Sequence, residues 1–138
     1  MRILGLDIGS KRIGVAISDA LGIIAQAHST LEREKCADIV ELLKEIVKRE
    51  GVEEIVVGLP LNMDGSYGSM AKEVISFSDN LKEKLNIPIK LWDERMSTIQ
   101  VERLMIKGDL TRRKRKKRID KLAAQVVLQS YLDAQKKV

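Results

Sequence analysis

The stretch ILGLDIGSKRIGVAI, residues 3–17, places two short apolar runs on either side of a polar turn that contains glycine. The first run ends in the acid Asp7, and the second covers Ile13 to Ile17. Apolar runs of this length, bounded by glycine, are typical of buried β-strands. A third such run, Ile23 to His28, follows the next glycine turn, so the N-terminal part predicts an antiparallel meander of three strands.

Beyond the meander, apolar residues recur every three or four positions, which indicates amphipathic helices alternating with strands. The predicted elements are a helix from Cys36 through Ile39 to Val47 that Gly51 ends, a strand at Glu54 to Gly58, a helix with Val74, Ser78, Leu81 and Leu85 on one face, a strand at Ile89 to Asp93, a helix from Thr98 to about Lys107 with Ser97 and Gln100 as its capping box, and a last helix from about Arg118 to Gln135. This order predicts an α/β fold with a mixed five-stranded sheet, antiparallel at first and then extended by parallel strands through right-handed crossovers.

The last predicted helix has an apolar stripe, which we expect to be buried on the sheet. Its members are Ile119, Leu122, Ala123, Val126, Val127 and Ser130. Between the fourth strand and the second helix, the polar segment Asn62 to Ser69 is expected to be a mobile loop. With Tyr67 inside it, this loop is a candidate flap over the substrate, although a simple exposed loop explains the composition equally.

Size and composition limit the class of protein. A chain of 138 residues with 44% apolar residues predicts one domain, 1–138, with its own core. Cys36 is the one cysteine, and no apolar stretch approaches the about 18 residues of a membrane span, so we expect a cytoplasmic protein without membrane association. His28 is the one histidine, which argues against a zinc hydrolase.

The positive charge of the chain is concentrated in one segment. The formal net charge is +5, and without seven consecutive cations it is −2. The seven are Arg112, Arg113, Lys114, Arg115, Lys116, Lys117 and Arg118. A cluster of this kind favours a polyanionic partner, and we expect its residues to bind substrate phosphates; the alternative is a solvated tether between two helices.

Carboxylates lie at the ends of two predicted strands. Asp7 ends a strand so apolar that its carboxylate needs a partner, a metal or a raised pKa, although it could also accept N–H bonds from the Gly9-Ser10-Lys11 turn. Asp93-Glu94-Arg95 follows the fifth strand, where acids also complement the dipole of the next helix. If the first and fifth strands lie close together, these acids meet at the carboxyl edge of the sheet.

Asp120 opens the last helix directly after the basic run. It shares a helical side with Ala123, Ala124 and Val127, whose small members would let that helix approach the sheet closely. Three or four carboxylates without histidine or cysteine partners make an oxygen-rich site that suits Mg²⁺ or Mn²⁺. Such ions can activate water and stabilise the departing oxygen in phosphoryl displacement, which requires no nucleophilic side chain.

Four motifs in order, DIGSKRIGVA at 7–16, VGLP at 57–60, DERMST at 93–98 and DKLAA at 120–124, resemble the YqgF/RuvX family of pre-16S rRNA nucleases, also called Holliday-junction resolvase-like proteins. The resemblance covers essentially the whole chain. It implies a ribonuclease H-like fold, a cytoplasmic location and a divalent-metal nuclease site. Many members have serine where this chain has Lys121, a departure that leaves Asp120 in place.

The resemblance implies that the catalytic acids are Asp7, Asp93, Glu94 and Asp120. Strand alternation sends Asp93 and Glu94 to opposite faces, so one of the two serves only to orient Arg95 or a neighbouring backbone group. Which of them binds metal stays open at this point; Glu94 is taken, with Asp7 and Asp120, as the metal set.

Three further cations are candidate phosphate contacts. Lys11 and Arg12 follow Asp7 in the first turn, where Arg12 offers bidentate geometry, although both residues could simply be solvated. Arg95 follows the acid pair and either reaches a phosphate or forms an ion pair with a neighbouring acid. The few scattered aromatic residues indicate recognition of backbone and shape rather than base stacking.

The expected function is a metal-dependent endonuclease that processes the 5′ end of pre-16S rRNA. A Holliday-junction resolvase, acting as a dimer on four-way DNA, would use the same chemistry, and a non-catalytic RNA-binding factor of ribosome assembly would use only the basic run. Residues 6–16 are also similar to the first phosphate loop of sugar kinases and actin-like ATPases, but those proteins have two lobes. We expect structured RNA or branched DNA as partner, and a monomer or weak homodimer.

If all seven cations of 112–118 contact phosphates, affinity for a duplex should depend steeply on salt. Counterion release predicts a slope of about −6 for log affinity against log salt concentration. Fluorescence anisotropy of a labelled duplex over a salt series measures this slope. Replacing the seven residues with glutamine should reduce the slope to the smaller value that the remaining phosphate contacts give. A slope near zero in the unaltered protein would contradict the expected phosphate contacts.

Overall fold

A computed structural model describes residues 1–35, 38–95 and 112–135 of the chain, with side chains described outside 112–121. Its strands and helices follow one another in the predicted alternation. They are β1 Arg2–Ile8, β2 Arg12–Ser18, β3 Ala25–Glu32, α1 Ile39–Glu50, β4 Val52–Leu59, α2 Ser69–Lys84, β5 Ile89–Asp93 and α3 Arg112–Gln135. The predicted helix from Thr98 to Lys107 lies outside the described residues.

All five strands form one sheet in the order β3-β2-β1-β4-β5. The pairs β1–β2 and β2–β3 are antiparallel, whereas β1–β4 and β4–β5 are parallel. The predicted mixed sheet is therefore confirmed. The first and fifth strands are not neighbours, because β4 lies between them. Acids at the ends of β1 and β5 can therefore meet only across β4.

The two faces of the sheet bury different helices. On one face, α1 and α2 pack on residues of β1 such as Leu4 and Leu6. On the other face, α3 packs on the alternate positions, which include Ile3. Because side chains alternate along a strand, Gly5 and Asp7 of β1 belong to the α3 face.

Helix α1 has a capping hydrogen bond at each end; it begins at Ile39, and the predicted start at Cys36 lies outside the described residues. The Asp38 carboxylate accepts a hydrogen bond from the N–H of Glu41 at 3.2 Å, which satisfies a free donor of the first turn. At the other end Gly51 adopts a left-handed conformation with φ 66° and donates its N–H to the Val47 carbonyl. The prediction that Gly51 ends this helix is confirmed.

Helix α3 approaches β1 closely because Gly5 has no side chain. A Cβ added to Gly5 would lie 2.7 Å from Leu128 Cβ and 3.3 Å from the Ala124 carbonyl oxygen. Polar contacts fix the far half of α3: the Tyr131 hydroxyl donates to Glu54 Oε1 at 2.8 Å, and Lys90 Nζ lies 3.1 Å from the same oxygen. These contacts join α3 to β4 and β5 and help to fix the distance between α3 and the sheet.

The stripe predicted for the last helix is wrong in phase. The residues buried on the sheet are Ala124, Val127, Leu128, Tyr131 and Leu132. Of the predicted residues with described side chains, Val127 is buried, whereas Leu122, Ala123, Val126 and Ser130 are only half-buried. The stripe is rotated by about one residue, because the close contact at Gly5 decides which side of α3 faces the sheet.

Several boundaries also differ from prediction: β3 ends at Glu32 rather than His28, and β4 begins at Val52 rather than Glu54. Strand β3 begins at Ala25 rather than Ile23, since the Asp19 carboxylate accepts the Ile23 N–H at 2.7 Å and keeps that residue in the turn. Helix α3 begins at Arg112 rather than Arg118, so the basic run forms its first turns instead of a tether before it. Among the described residues, none of the three helices has the length and apolar character needed to cross a bilayer.

Replacing Gly5 with alanine should destabilise the protein by about 1 to 3 kcal/mol, the range for overpacking a tight core. The Cβ of Leu128 is fixed to the helix backbone, so no change of side-chain rotamer relieves the contact. Urea unfolding followed by circular dichroism gives the difference in free energy. Ser10→Ala, at an exposed position, serves as control. Equal stability of the Gly5→Ala and unaltered proteins would contradict the close packing of α3.

Candidate active site

Two of the predicted acids converge on the α3 face at the carboxyl edge of the sheet. Asp7 is half-buried near the end of β1, and Glu94 is half-buried directly after β5. Their carboxyl groups are linked by a hydrogen bond, although β4 separates the two strands. The structure therefore brings together acids that are 87 positions apart in the sequence.

The strand register explains how Glu94 reaches this position. Leu6 of β1 pairs with Val57 of β4, and Leu59 of β4 pairs with Asp93 of β5. The backbone N–H of Glu94 then donates to the Leu59 carbonyl at 3.2 Å. This bond continues the pairing by one residue and fixes the backbone from which the Glu94 side chain extends toward β1.

The environment of Glu94 favours its protonated form. The pKa of Glu94 is raised from 4.5 to about 8, first by burial and then by the charge of Asp7, the hydrogen bond with Asp7 and the charge of Asp93. Two facing carboxylates in a half-buried site repel one another unless a proton or a cation lies between them. Around neutral pH, the pair consequently holds either a proton or a positively charged ligand.

Asp93 points away from this pair and binds Arg95. Its carboxylate accepts hydrogen bonds from Arg95 Nη2 at 2.7 Å, from Arg95 Nε at 2.9 Å, and from the Arg95 backbone N–H at 3.1 Å. These bonds lower the pKa of Asp93. The geometry thus separates the two acids: Glu94 faces Asp7, whereas Asp93 orients Arg95. The predicted phosphate contact of Arg95 stays a prediction alongside this ion pair.

Lys11 lies in the turn between β1 and β2, and Arg12 is the first residue of β2. The Gly9 N–H donates to the Arg12 carbonyl at 2.8 Å. Lys11 is exposed. Arg12 is half-buried, and its Nε is buried without a hydrogen-bond partner among the described residues. Phosphate contact by either residue stays a prediction.

Arg33 fastens this turn and is a residue that the sequence analysis missed. Its Nη1 donates to the Gly9 carbonyl at 2.9 Å and to Glu73 of α2 at 2.9 Å. Its backbone N–H donates to the Lys11 carbonyl at 2.9 Å. No local pattern reveals this role, because it depends on β3 returning beside the first turn.

The segment predicted as a mobile loop is closed by its own hydrogen bonds. The Gly65 N–H donates to the Asn62 carbonyl at 2.8 Å, and the Asp64 carboxylate accepts the Ser66 N–H at 2.9 Å. Arg95 Nη1 lies 3.5 Å from the Met63 carbonyl, which places this loop beside the Asp93–Arg95 pair. Tyr67 is exposed. Contact of the loop with substrate stays a prediction.

The remaining predicted residues are described only by their backbone. Arg112 to Arg118 and Asp120 lie in α3, but their side chains are outside the described part of the chain. Their predicted roles are therefore not tested. In the described residues, no group of three acids, histidines or cysteines is close enough to hold a metal ion.

Asp7 and Glu94 nevertheless suit a hard divalent cation. They offer carboxylate oxygens, which Mg²⁺ and Mn²⁺ prefer, in a half-buried position. The raised pKa of Glu94 reflects a repulsion that a bound cation would remove. This pair would provide two ligands, and the side chain of the third predicted ligand, Asp120, lies outside the described part of the chain.

A family model described as RuvX, Holliday junction resolvase, matches residues 1–134. The chain belongs to the RuvX family. This is the family that the four sequence motifs indicated, so that prediction is confirmed, and membership supports the expected nuclease class.

RuvX relatives match the chain over nearly its full length. A protein of Caldanaerobacter subterraneus is 55% identical over 137 residues, covering 99% of both chains. One of Halothermothrix orenii is 49% identical over 138 residues, covering 100% of this chain and 99% of its own. Both carry the provisional name pre-16S rRNA nuclease.

Solved structures confirm the predicted ribonuclease H-like fold. Thermus thermophilus RuvC, in complex with a Holliday junction substrate, superposes with a TM-score of 0.58 at 16% identity, covering 99% of this chain and 97% of that one. The fowlpox virus resolvase, also with junction DNA, gives a TM-score of 0.61 at 15% identity, covering 99% and 100%. At these identities, the likeness concerns the fold alone.

The raised pKa of Glu94 should make the metal-free protein less stable as pH rises. A carboxyl group whose pKa is about 8 when folded and 4.5 when unfolded adds stability that is complete below 4.5 and lost as pH rises through 8. Melting temperatures in chelator-treated buffers, from about pH 5 to about pH 9, should therefore fall.

Glu94→Gln is the matched control for this pH series, because the amide cannot titrate. Its melting temperature should vary less over the same range, whereas an identical fall in both proteins would show that another group is responsible. Asp7→Asn should reduce the fall without abolishing it, since burial is the largest cause of the raised pKa.

Proposed function

We propose that this protein is a divalent-metal-dependent endonuclease that hydrolyses phosphodiester bonds at the 5′ end of pre-16S rRNA in the cytoplasm. The observation that carries the proposal is the convergence of Asp7 and Glu94 at one edge of the sheet. The provisional names of the RuvX relatives support the choice of RNA substrate. The domain responsible is taken to be the whole chain, 1–138.

Asp7, Glu94 and Asp120 are proposed to hold Mg²⁺ or Mn²⁺. Nucleases of this fold generally depend on divalent metal. Bound there, the cation would supply an activated water and stabilise the departing oxygen. Asp120 precedes Ala124 by four residues in α3, about one helical turn, and Ala124 is buried. Asp93 is proposed to act through Arg95, which it binds.

Cations around these acids are proposed to hold the substrate backbone. Lys11 lies in the turn after Asp7, and Arg12 begins β2. The Nε of Arg12, which has no hydrogen-bond partner in the described part of the chain, supports a phosphate ligand there. Arg95 borders the site on the β5 side. The run Arg112 to Arg118 occupies the first turns of α3, directly before Asp120. Such contacts fix the register of the substrate and carry little sequence information.

Junction DNA is the second candidate substrate. The structural neighbours with TM-scores of 0.58 and 0.61 were solved with Holliday junctions, and the family model carries the resolvase description. Cleavage of a four-way junction would use the same acids and a dimer that places two sites on one junction. A non-catalytic RNA-binding role in ribosome assembly is the third candidate, in which only the basic residues act.

Cleavage assays distinguish these candidates. With Mg²⁺ or Mn²⁺, the unaltered protein should cut a labelled pre-16S leader RNA faster than a synthetic four-way junction. Asp7→Asn, Glu94→Gln and Asp120→Asn should each lower the rate by about 100-fold or more, because each removes a proposed metal ligand. Asp93→Asn should lower it less, since Asp93 faces Arg95 instead of the paired carboxylates.

Asp79→Asn is the control for a charge change, because Asp79 is exposed on α2. It should cut at the unaltered rate. Preferential cutting of the junction would favour the resolvase. Binding of the RNA without cutting of either substrate, under both metals, would exclude the enzyme and leave the assembly factor.

A further inference from the structure

The site acids Asp7 and Glu94 come from strands that do not touch. Strand β4 lies between β1 and β5. Neighbouring strands are about 4.8 Å apart, so the two outer backbones are separated by about 10 Å at this edge. A side chain of β4 that pointed to the α3 face between the acids would stand directly in the path of Glu94.

The residue of β4 at this place is Gly58. It pairs with Trp92 of β5, and the preceding residue, Val57, pairs with Leu6 of β1. Gly58 therefore lies beside Asp7 of β1 on one side. On the other side it lies beside Trp92, two residues before Glu94. Glycine weakens the interior of a strand, and in such a position it often marks the close approach of another group.

The backbone at Gly58 does not itself require glycine. The described glycines with positive φ are Gly22, Gly51 and Gly65, so Gly58 has a conformation that alanine also adopts. Space is the limiting factor instead. A Cβ added to Gly58 would overlap Glu94 Oε2 and would lie 3.4 Å from Glu94 Cδ. The Glu94 carboxyl group thus rests directly on the bare Cα of Gly58.

Helix α3 closes this passage from above. The same added Cβ would lie 3.3 Å from Val127 Cγ2, and Val127 is buried. With the β4 backbone below and α3 above, the Glu94 carboxyl group can make room for a methyl group at position 58 only by leaving this passage.

We propose that Gly58 is a positioning residue of the active site: its missing side chain leaves the passage through which the Glu94 carboxylate crosses β4 to meet Asp7. A side chain at position 58 would push the Glu94 carboxylate away from Asp7 and divide the metal-binding pair. This inference rests on the proposed metal-dependent function, because it assigns Gly58 a role in building that metal site.

The test is the affinity of Gly58→Ala for Mn²⁺, measured by isothermal titration calorimetry on the metal-free, full-length chain. The expected result is a dissociation constant about 10- to 100-fold higher than in the unaltered protein, the range for losing support of a metal ligand. The metal-free melting temperature should change little, since displacing Glu94 from Asp7 also removes a repulsion.

Glu94→Ala supplies the matched background, because it removes the carboxyl group that the new methyl group would overlap and keeps the contact with Val127 Cγ2. Adding Gly58→Ala to Glu94→Ala should leave both the Mn²⁺ affinity and the melting temperature of Glu94→Ala unchanged. A purely structural role of Gly58 would give the same loss in both backgrounds. If Gly58→Ala alone does not fold, folding of the double variant supports the proposal, and failure of the double variant overturns it.

The remaining outcomes separate this inference from the proposed function. If the unaltered protein binds Mn²⁺ and Gly58→Ala binds it equally well, the positioning role is wrong while the metal site stands. If the unaltered protein binds no Mn²⁺, the metal-dependent function fails, and the positioning role fails with it.

Discussion

The Asp7 and Glu94 carboxyl groups face one another across the sheet, and much of the fold holds them there despite their mutual repulsion. The Glu94 N–H donates to the Leu59 carbonyl, and the Glu94 carboxyl group lies against the bare Cα of Gly58, close to Val127. Burial is the largest cause of the raised pKa of Glu94, and the charge of Asp7 is the next. Local choices that weaken a strand, such as an interior glycine and a half-buried acid, are concentrated at this site, which is typical of functional positions.

The two faces of the sheet differ: one holds the larger apolar core, and the other holds the site acids. The α1–α2 face is a continuous apolar core that includes Leu4, Leu6 and Val57. The α3 face combines a smaller apolar cluster with Asp7, Glu94 and the buried Glu54–Tyr131 contact. Because the larger core anchors β1 and β4 from behind, the α3 face can accommodate acids that a lone apolar face would disfavour. The site is therefore supported by a rigid sheet rather than by loops.

The sequence predicts most elements because their signals are local. Gly51 ends α1 through its left-handed conformation, and β5, Ile89–Asp93, lies between Pro88 and Glu94. The phase of α3 was missed, because the contact of Gly5 with Leu128 that sets it joins residues 123 positions apart. The acids of the site were found from strand ends and from family motifs. Three features of the site depend on strand pairing that no local pattern encodes. They are the position of β4 between β1 and β5, the passage over Gly58, and the contact of Arg33 with the first turn.

The raised pKa of Glu94 implies that a proton and the proposed cation compete for the space between the Asp7 and Glu94 carboxyl groups. A metal ion requires deprotonated ligands, so its binding to this pair would release the proton that the pair holds near neutral pH. Metal affinity would then increase as pH rises toward 8, over the same range in which the metal-free fold becomes less stable. The cation would consequently contribute most to folding stability where the protein alone is weakest. Folding stability and metal binding are therefore linked through Asp7 and Glu94. The doubly deprotonated form has the strongest repulsion between the two carboxylates, and it is also the form that binds metal.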